Sequence, residues 1–160
     1  MGAGTIIATA IAIMLLIITG YVLISGTLST ARVVVMAQKD TADRENQKMH
    51  TRIEILNASA NTVACQTFIN VMNTGTEVIG DFQHMDVYLL QAGVPRTYMN
   101  GPGTWNWTCS ITQDQVNPTL LDPDEYANIT VNYDWSGGDP TWVKVTTANG
   151  VYASANLPKV

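Results

Sequence analysis

No charged side chain and no histidine occurs before Arg32, so the first 31 residues lack the groups that acid–base or metal chemistry requires. No proline precedes Pro95, and no glycine lies between Gly26 and Gly75. Nothing in that interval obliges a helix to stop. Charge is scarce throughout: 13% of residues are Asp, Glu, Lys or Arg, about half the usual share of a soluble domain. Lys and Arg number 8 against 13 Asp and Glu, a net charge of −5, which excludes the basic face of a nucleic-acid binder. Two cysteines and two histidines, His50 and His84, are too few for a cysteine-built zinc or iron–sulfur site or a histidine-rich metal centre. No nucleophile elbow, phosphate loop or pair of catalytic acids is present. The chain is read as a non-enzyme that needs no cofactor.

What fills the uncharged region is an apolar run from Thr5 to Leu28. About 20 apolar residues, at ~1.5 Å each, cross a hydrocarbon core of ~30 Å, so the run is long enough to span with tilt. In lipid every backbone group must be satisfied within the segment, which makes it a helix. A cleaved signal peptide fits poorly: no basic residue precedes Thr5, and the run is too long. Small residues at Ala8, Ala12, Gly20, Ser25 and Ser29 offer close approach to a second helix.

Apolar character continues through Val33–Met36, and a mixed-charge stretch follows. Within it Ala42, Met49, Ile53, Leu56 and Ala60 form a stripe whose last steps are 4, 3 and 4, the spacing of one helical face. The pattern predicts a single helix to about residue 58, roughly 80 Å long. Residues 1–60 then form a helical domain, apolar over 5–28 and amphipathic over 33–60. Met49, Ile53 and Leu56 join the small residues as expected packing positions.

From Asn61 the period changes to two. Val63, Cys65, Thr67, Ile69 and Val71 alternate with Gln66 and Asn70; His84–Leu90 reads as a second strand closed by Gly93-Val94-Pro95. Trp105, Trp107, Cys109 and Ile111 share one face of a third, and Ala127, Ile129, Val131, Tyr133 and Trp135 one face of a fourth. Asn149-Gly150 between two further runs is a hairpin signal. About seven short strands over residues 61–160 predict an immunoglobulin-like antiparallel β-sandwich, hence an α+β chain overall.

These pieces resemble a known family. Met1-Gly2-Ala3-Gly4 opening into the apolar run, Val71–Thr76 followed by Met85–Leu89, the turn Leu121–Glu125, and Val143–Val151 occur in the order found in the F- and G-type accessory proteins of the archaellum, the archaeal swimming filament. The wider set it is similar to includes archaellins and type IV pilin-like subunits. The resemblance implies a stator-like structural role: a membrane-rooted helix that self-associates, and a sandwich outside the cell. That sandwich would bind surface-layer protein or other archaellum components, or assemble into a filament. The alternative is a structural subunit of a long extracellular filament.

Topology signals conflict. Five basic residues follow the apolar run and none precedes it, which favours a cytoplasmic C-terminal part. Residues 61–160 hold 9 acidic and 3 basic groups, a balance of −6, and pilin-like insertion leaves the sandwich outside. An outside location predicts a disulfide between Cys65 and Cys109, with two buried free thiols as the alternative. It also makes the sequons at Asn57, Asn106 and Asn128 glycosylation candidates. Asp81, His84 and Asp86 are read as a polar strand face rather than a metal site, and Asp122, Asp124 and Glu125 as a solvated turn rather than a calcium loop. The tryptophans are read as core and subunit contacts rather than a sugar platform.

Overall fold

The computed structural model describes residues 2–112, 114 and 116–158. They form one long helix, α1 (Ala3–His50), and eight strands: β1 (Ile53–Asn61), β2 (Gln66–Asn73), β3 (Asp86–Gln91), β4 (Val94–Asn100), β5 (Asn106–Thr112), β6 (Tyr126–Asn132), β7 (Pro140–Thr146) and β8 (Tyr152–Asn156). Two compact units result, Met1–Asp43 and Arg44–Val160.

In the second unit the strands run in the order β1-β2-β6-β5-β4-β3-β7-β8. Every pairing is antiparallel except β4 with β5, which meet only at Met99↔Asn106 and Asn100↔Trp107. That short parallel contact joins two four-stranded layers, β1-β2-β6-β5 and β4-β3-β7-β8, into the expected sandwich. Alternation along the strands turns Ile69, Val71, Trp107, Ile129 and Val131 of one layer toward Val87, Leu89, Tyr98, Val143 and Val145 of the other, all fully buried. Each such side chain contributes about 1.5–3 kcal/mol by leaving water. One polar knot sits among them. The buried Gln91 donates to the carbonyls of Gly138 (2.8 Å) and Asp134 (3.2 Å) and accepts the Tyr98 hydroxyl at 2.8 Å. Burial pushes the Tyr98 hydroxyl up to about 12.

Two elements depart from the sequence pattern. The helix ends at His50 rather than near residue 58, and Ile53, Leu56 and Ala60 lie on β1. The stop comes from a distant segment. Thr76 and Glu77 donate their N–H groups to the His50 carbonyl (2.9 and 3.2 Å), while Thr74 and Gly75 donate to that of Arg52 (2.8 and 3.0 Å). The bonds to His50 cap a carbonyl that the helix end leaves open, and those to Arg52 fix the chain just beyond it. Only glycine allows that approach, because a Cβ on Gly75 would collide with the His50 carbonyl. The other departure is β4. Gly93 does not close a strand and lead into a loop; Ala92 (φ 47°) and Gly93 (φ 81°) make a two-residue turn between Gln91 and Val94. Two left-handed residues suit a tight hairpin, and Pro95 is tolerated because that part of β4 is an edge.

Candidate assembly and recognition surfaces

In the first unit every described helical residue is exposed or nearly so, and apolar side chains cover all sides. From Ala3 to Ala37 (37 − 3 + 1 = 35 residues) the only charge is Arg32. The threonine hydroxyls there are satisfied locally: Thr9 and Thr19 donate to carbonyls one turn back at 2.9–3.0 Å, and Thr5, Thr27 and Thr30 do so at 3.0 Å. Threonines satisfied in this way suit a medium without water. The small residues do not share one stripe. At about 100° per residue, Ala8 and Ala12 lie together, Ser25 and Ser29 lie about a quarter turn away, and Gly20 faces elsewhere.

The other expected packing positions divide. Met49 is 75% exposed on the last helical turn, Ile53 is buried in the sandwich core, and Leu56 is the exposed residue of a bulge in β1. Ile53 therefore is not an assembly residue, because a strand's period of two turned it inward.

Cys65 and Cys109 carry free thiols. Cys65 sits in the β1–β2 turn at φ 54°, its carbonyl accepting from Tyr133 N–H at 3.0 Å. Cys109 pairs with Ile129, four residues back along β6 and on its other side. Four residues at ~3.3 Å and two strand spacings of ~4.8 Å separate them by well over ~10 Å, against about 5.5 Å for a bridge. The expected disulfide is corrected on that ground. Burial pushes the Cys109 thiol up to about 11.

The two outer faces of the sandwich differ in chemistry. Apart from Glu54, the strands β1, β2, β6 and β5 contain no charged residue. Their outward side chains form amide and hydroxyl ladders: Gln66 to Asn132 at 3.0 Å, Asn70 to Asn128 at 2.7 Å, and Asn128 to Thr112 at 2.7 Å. On the other sheet the Lys144 ammonium stands 4.3 Å from the ring centroid of Tyr152 and 5.8 Å from that of Tyr88. Such cation–π contacts hold a lysine flat against the sheet.

The remaining candidates are structural. His84 Nδ1 lies 2.8 Å from the Asp81 carboxylate, and that hydrogen bond holds Asp81 below the usual carboxylate range. Asp86 instead accepts the Tyr88 hydroxyl at 3.2 Å. Asp122 accepts from the Asn117 backbone (3.1 Å) and side chain (2.8 Å), so its oxygens serve its own loop. Among the described residues no three metal-binding side chains converge. The tryptophans form no common platform: Trp107 is buried, Trp105 stacks on Tyr98 under Arg96, Trp135 opens a short 3-10 turn and Trp142 lies on β7.

The pattern of the archaeal-type flagellin family matches residues 2–157. An uncharacterized protein of Archaeoglobus fulgidus is 29% identical over 162 residues, covering 98% of this chain and 96% of its own length. Among solved structures, the archaellum periplasmic stator protein FlaG of Sulfolobus acidocaldarius is similar with a TM-score of 0.53 at 18% identity, over 66% of this chain and 98% of that one. A chain of the FlaF–FlaG stator complex of the same organism matches with a TM-score of 0.52 at 19% identity, over 66% and 88% of the two chains.

Proposed function

Because this chain belongs to the archaeal-type flagellin family, we propose that it is an archaellum-associated structural protein of the stator kind. Its helix roots it in the membrane, and its sandwich stands outside the cell and binds other archaellum components or surface-layer protein. The observation that carries this reading is the fold: a FlaG-like sandwich that covers nearly all of that solved chain, here preceded by a spanning-length apolar helix. The aromatic sheet around Tyr88, Lys144 and Tyr152 is the contact face we assign to a protein partner, since aromatic side chains favour interfaces. Co-purification from detergent-solubilised envelope tests the role. Archaellum components recovered with the full chain support it; recovery of the chain alone contradicts it.

A second reading, subunit of a long filament, draws on the helix. Ala3–Ala37, thirty-five residues at ~1.5 Å, make about 52 Å of helix interrupted by one charge, Arg32, well beyond a ~30 Å bilayer core. The four residues Val33–Met36 are apolar and exposed on every side. Turns outside the lipid need cover, and neighbouring copies of the helix supply it. Self-association through the helix serves both readings.

A further inference from the structure

We infer that the free half of the β5 edge takes up an extended segment of a protein partner as an added strand, with a basic side chain of that segment on Asp114. This rests on the proposed attachment to other archaellum components and names where one of them pairs.

Along a strand the backbone groups alternate in direction with the same period of two as the side chains. In β5 the phase is set by Trp107, whose carbonyl accepts from Gly101 N–H at 2.9 Å on the β4 side. Cys109 and Ile111 therefore turn their N–H and C=O groups the same way. Thr108 and Ser110 turn theirs toward Thr130 and Asn128 of β6. β4 pairs no farther along β5 than Trp107. Beyond it, among the described residues, no backbone bond reaches Cys109 or Ile111 from that side. Two donors and two acceptors stay open, in the spacing that a further strand matches.

Sheet edges are commonly blunted by charge, proline or a covering segment. β5 carries no charge and no proline, and a slot rather than a cover lies beside it. A cavity of about 410 Å³ runs along Cys109, Ser110 and Ile111, with Phe82, Asn100, Asp114 and Thr119 as its other walls. Those walls are tied down. Asn100 Nδ2 donates to the Phe82 carbonyl at 3.0 Å, and Asp114 Oδ2 accepts from Thr119 N–H at 2.7 Å. The second carboxylate oxygen, Asp114 Oδ1, is buried with no hydrogen-bond partner.

These features define the occupant. A buried carboxylate oxygen without a donor is costly, and a lysine or arginine of the incoming segment supplies one together with the opposite charge. The half-buried Cys109, Ile111 and Phe82 pack against the sandwich core. An added strand turns alternate side chains inward onto them, so those positions call for apolar residues. Main-chain bonds then give attachment, and the apolar and basic positions give selectivity.

Hydrogen exchange read amide by amide tests this directly, because it reports main-chain hydrogen bonds. It is run on the full chain in detergent, first alone and then in the assembly recovered from solubilised native envelope, its components identified by mass spectrometry. Alone, the Cys109 and Ile111 amides should exchange at least about tenfold faster than those of Thr108 and Ser110. In the assembly they should slow by about a hundredfold. Asp114→Asn keeps the bond to Thr119 and should lower recovery of the components several-fold without moving the unfolding midpoint. Slow exchange at Cys109 and Ile111 in the chain alone overturns the open edge. Archaellum components recovered with both amides still fast overturn the added strand and leave the structural role standing. Full recovery with Asp114→Asn overturns the basic side chain. A chain recovered without any archaellum component overturns the role and this attachment together.

Discussion

The side-chain amide of Asn149 donates to the hydroxyl of Thr51 at 2.6 Å, joining the last hairpin of the sandwich to the residue that follows the helix, 98 positions earlier. Thr51 also donates to the Gln47 carbonyl at 2.8 Å. The helix exit is therefore gripped from β7–β8 on one side and from the β2–β3 loop on the other. Asn149→Ala removes the bond to Thr51 together with the one its oxygen accepts from the Thr147 hydroxyl at 2.6 Å. We expect it to lower sandwich stability by about 1 kcal/mol, measured by urea unfolding.

Asn73 organises the other grip and is fully buried. Its amide donates to the carbonyls of Glu77 (2.8 Å) and Leu121 (3.0 Å), and its oxygen accepts from Gly75 N–H at 3.0 Å. Asn73→Ala deletes three hydrogen bonds. Gly75 N–H keeps the Arg52 carbonyl and the Leu121 carbonyl keeps Ile79 N–H, while the Glu77 carbonyl loses its donor. The expected cost is about 1–3 kcal/mol. Gly75→Ala, through its clash with the His50 carbonyl, is expected to cost a similar amount. An unchanged unfolding midpoint in either variant contradicts the capping account.

Ile53 and Met49 lie four residues apart and respond oppositely to charge. Ile53→Asp buries a carboxylate in an apolar core, costing on the order of 4 kcal/mol, so the sandwich unfolds. Met49→Asp sits on an exposed turn and leaves the unfolding midpoint within about 0.5 kcal/mol.

This pair also shows what the residues disclosed. The apolar run and the hairpin at Asn149-Gly150 were legible because each is a local pattern; the change of period, read at Asn61, comes instead at Ile53, where β1 begins. The stretch 51–60 was not legible, because its spacing of 4, 3 and 4 fits a helix, while Thr51, Ile53 and Ile55 equally fit a strand. What decides is the loop at 74–77, whose hydrogen bonds no local pattern announces. β4 was hidden by Pro95 and by a turn built on Ala92. The cysteines looked bridgeable because both neighbour apolar strand positions, and only register placed them four residues and two strands apart.

Thiol counting follows from the register. Denatured, unreduced chain should take up two maleimide labels; none would contradict the separation of Cys65 from Cys109. In the folded chain at pH 8 a thiol pushed up to about 11 is thiolate in about one molecule per thousand. Cys109 therefore labels slowly, and faster as pH rises toward 11.

The aromatic sheet gives a test of partner binding. Lys144→Glu together with Tyr152→Ala dismantles the Tyr88–Lys144–Tyr152 stack without touching the core. The variant should unfold like the parent and recover less of the archaellum components on co-purification. Equal recovery would remove that face from the account.

The most direct measurement is to shear cells, separate long filaments from membranes, and quantify this chain in both fractions by mass spectrometry. The stator account predicts low copy number in membranes, beside other archaellum components. Stoichiometric abundance along the sheared filaments would contradict it and make this chain a filament subunit, with its apolar helix in the filament core.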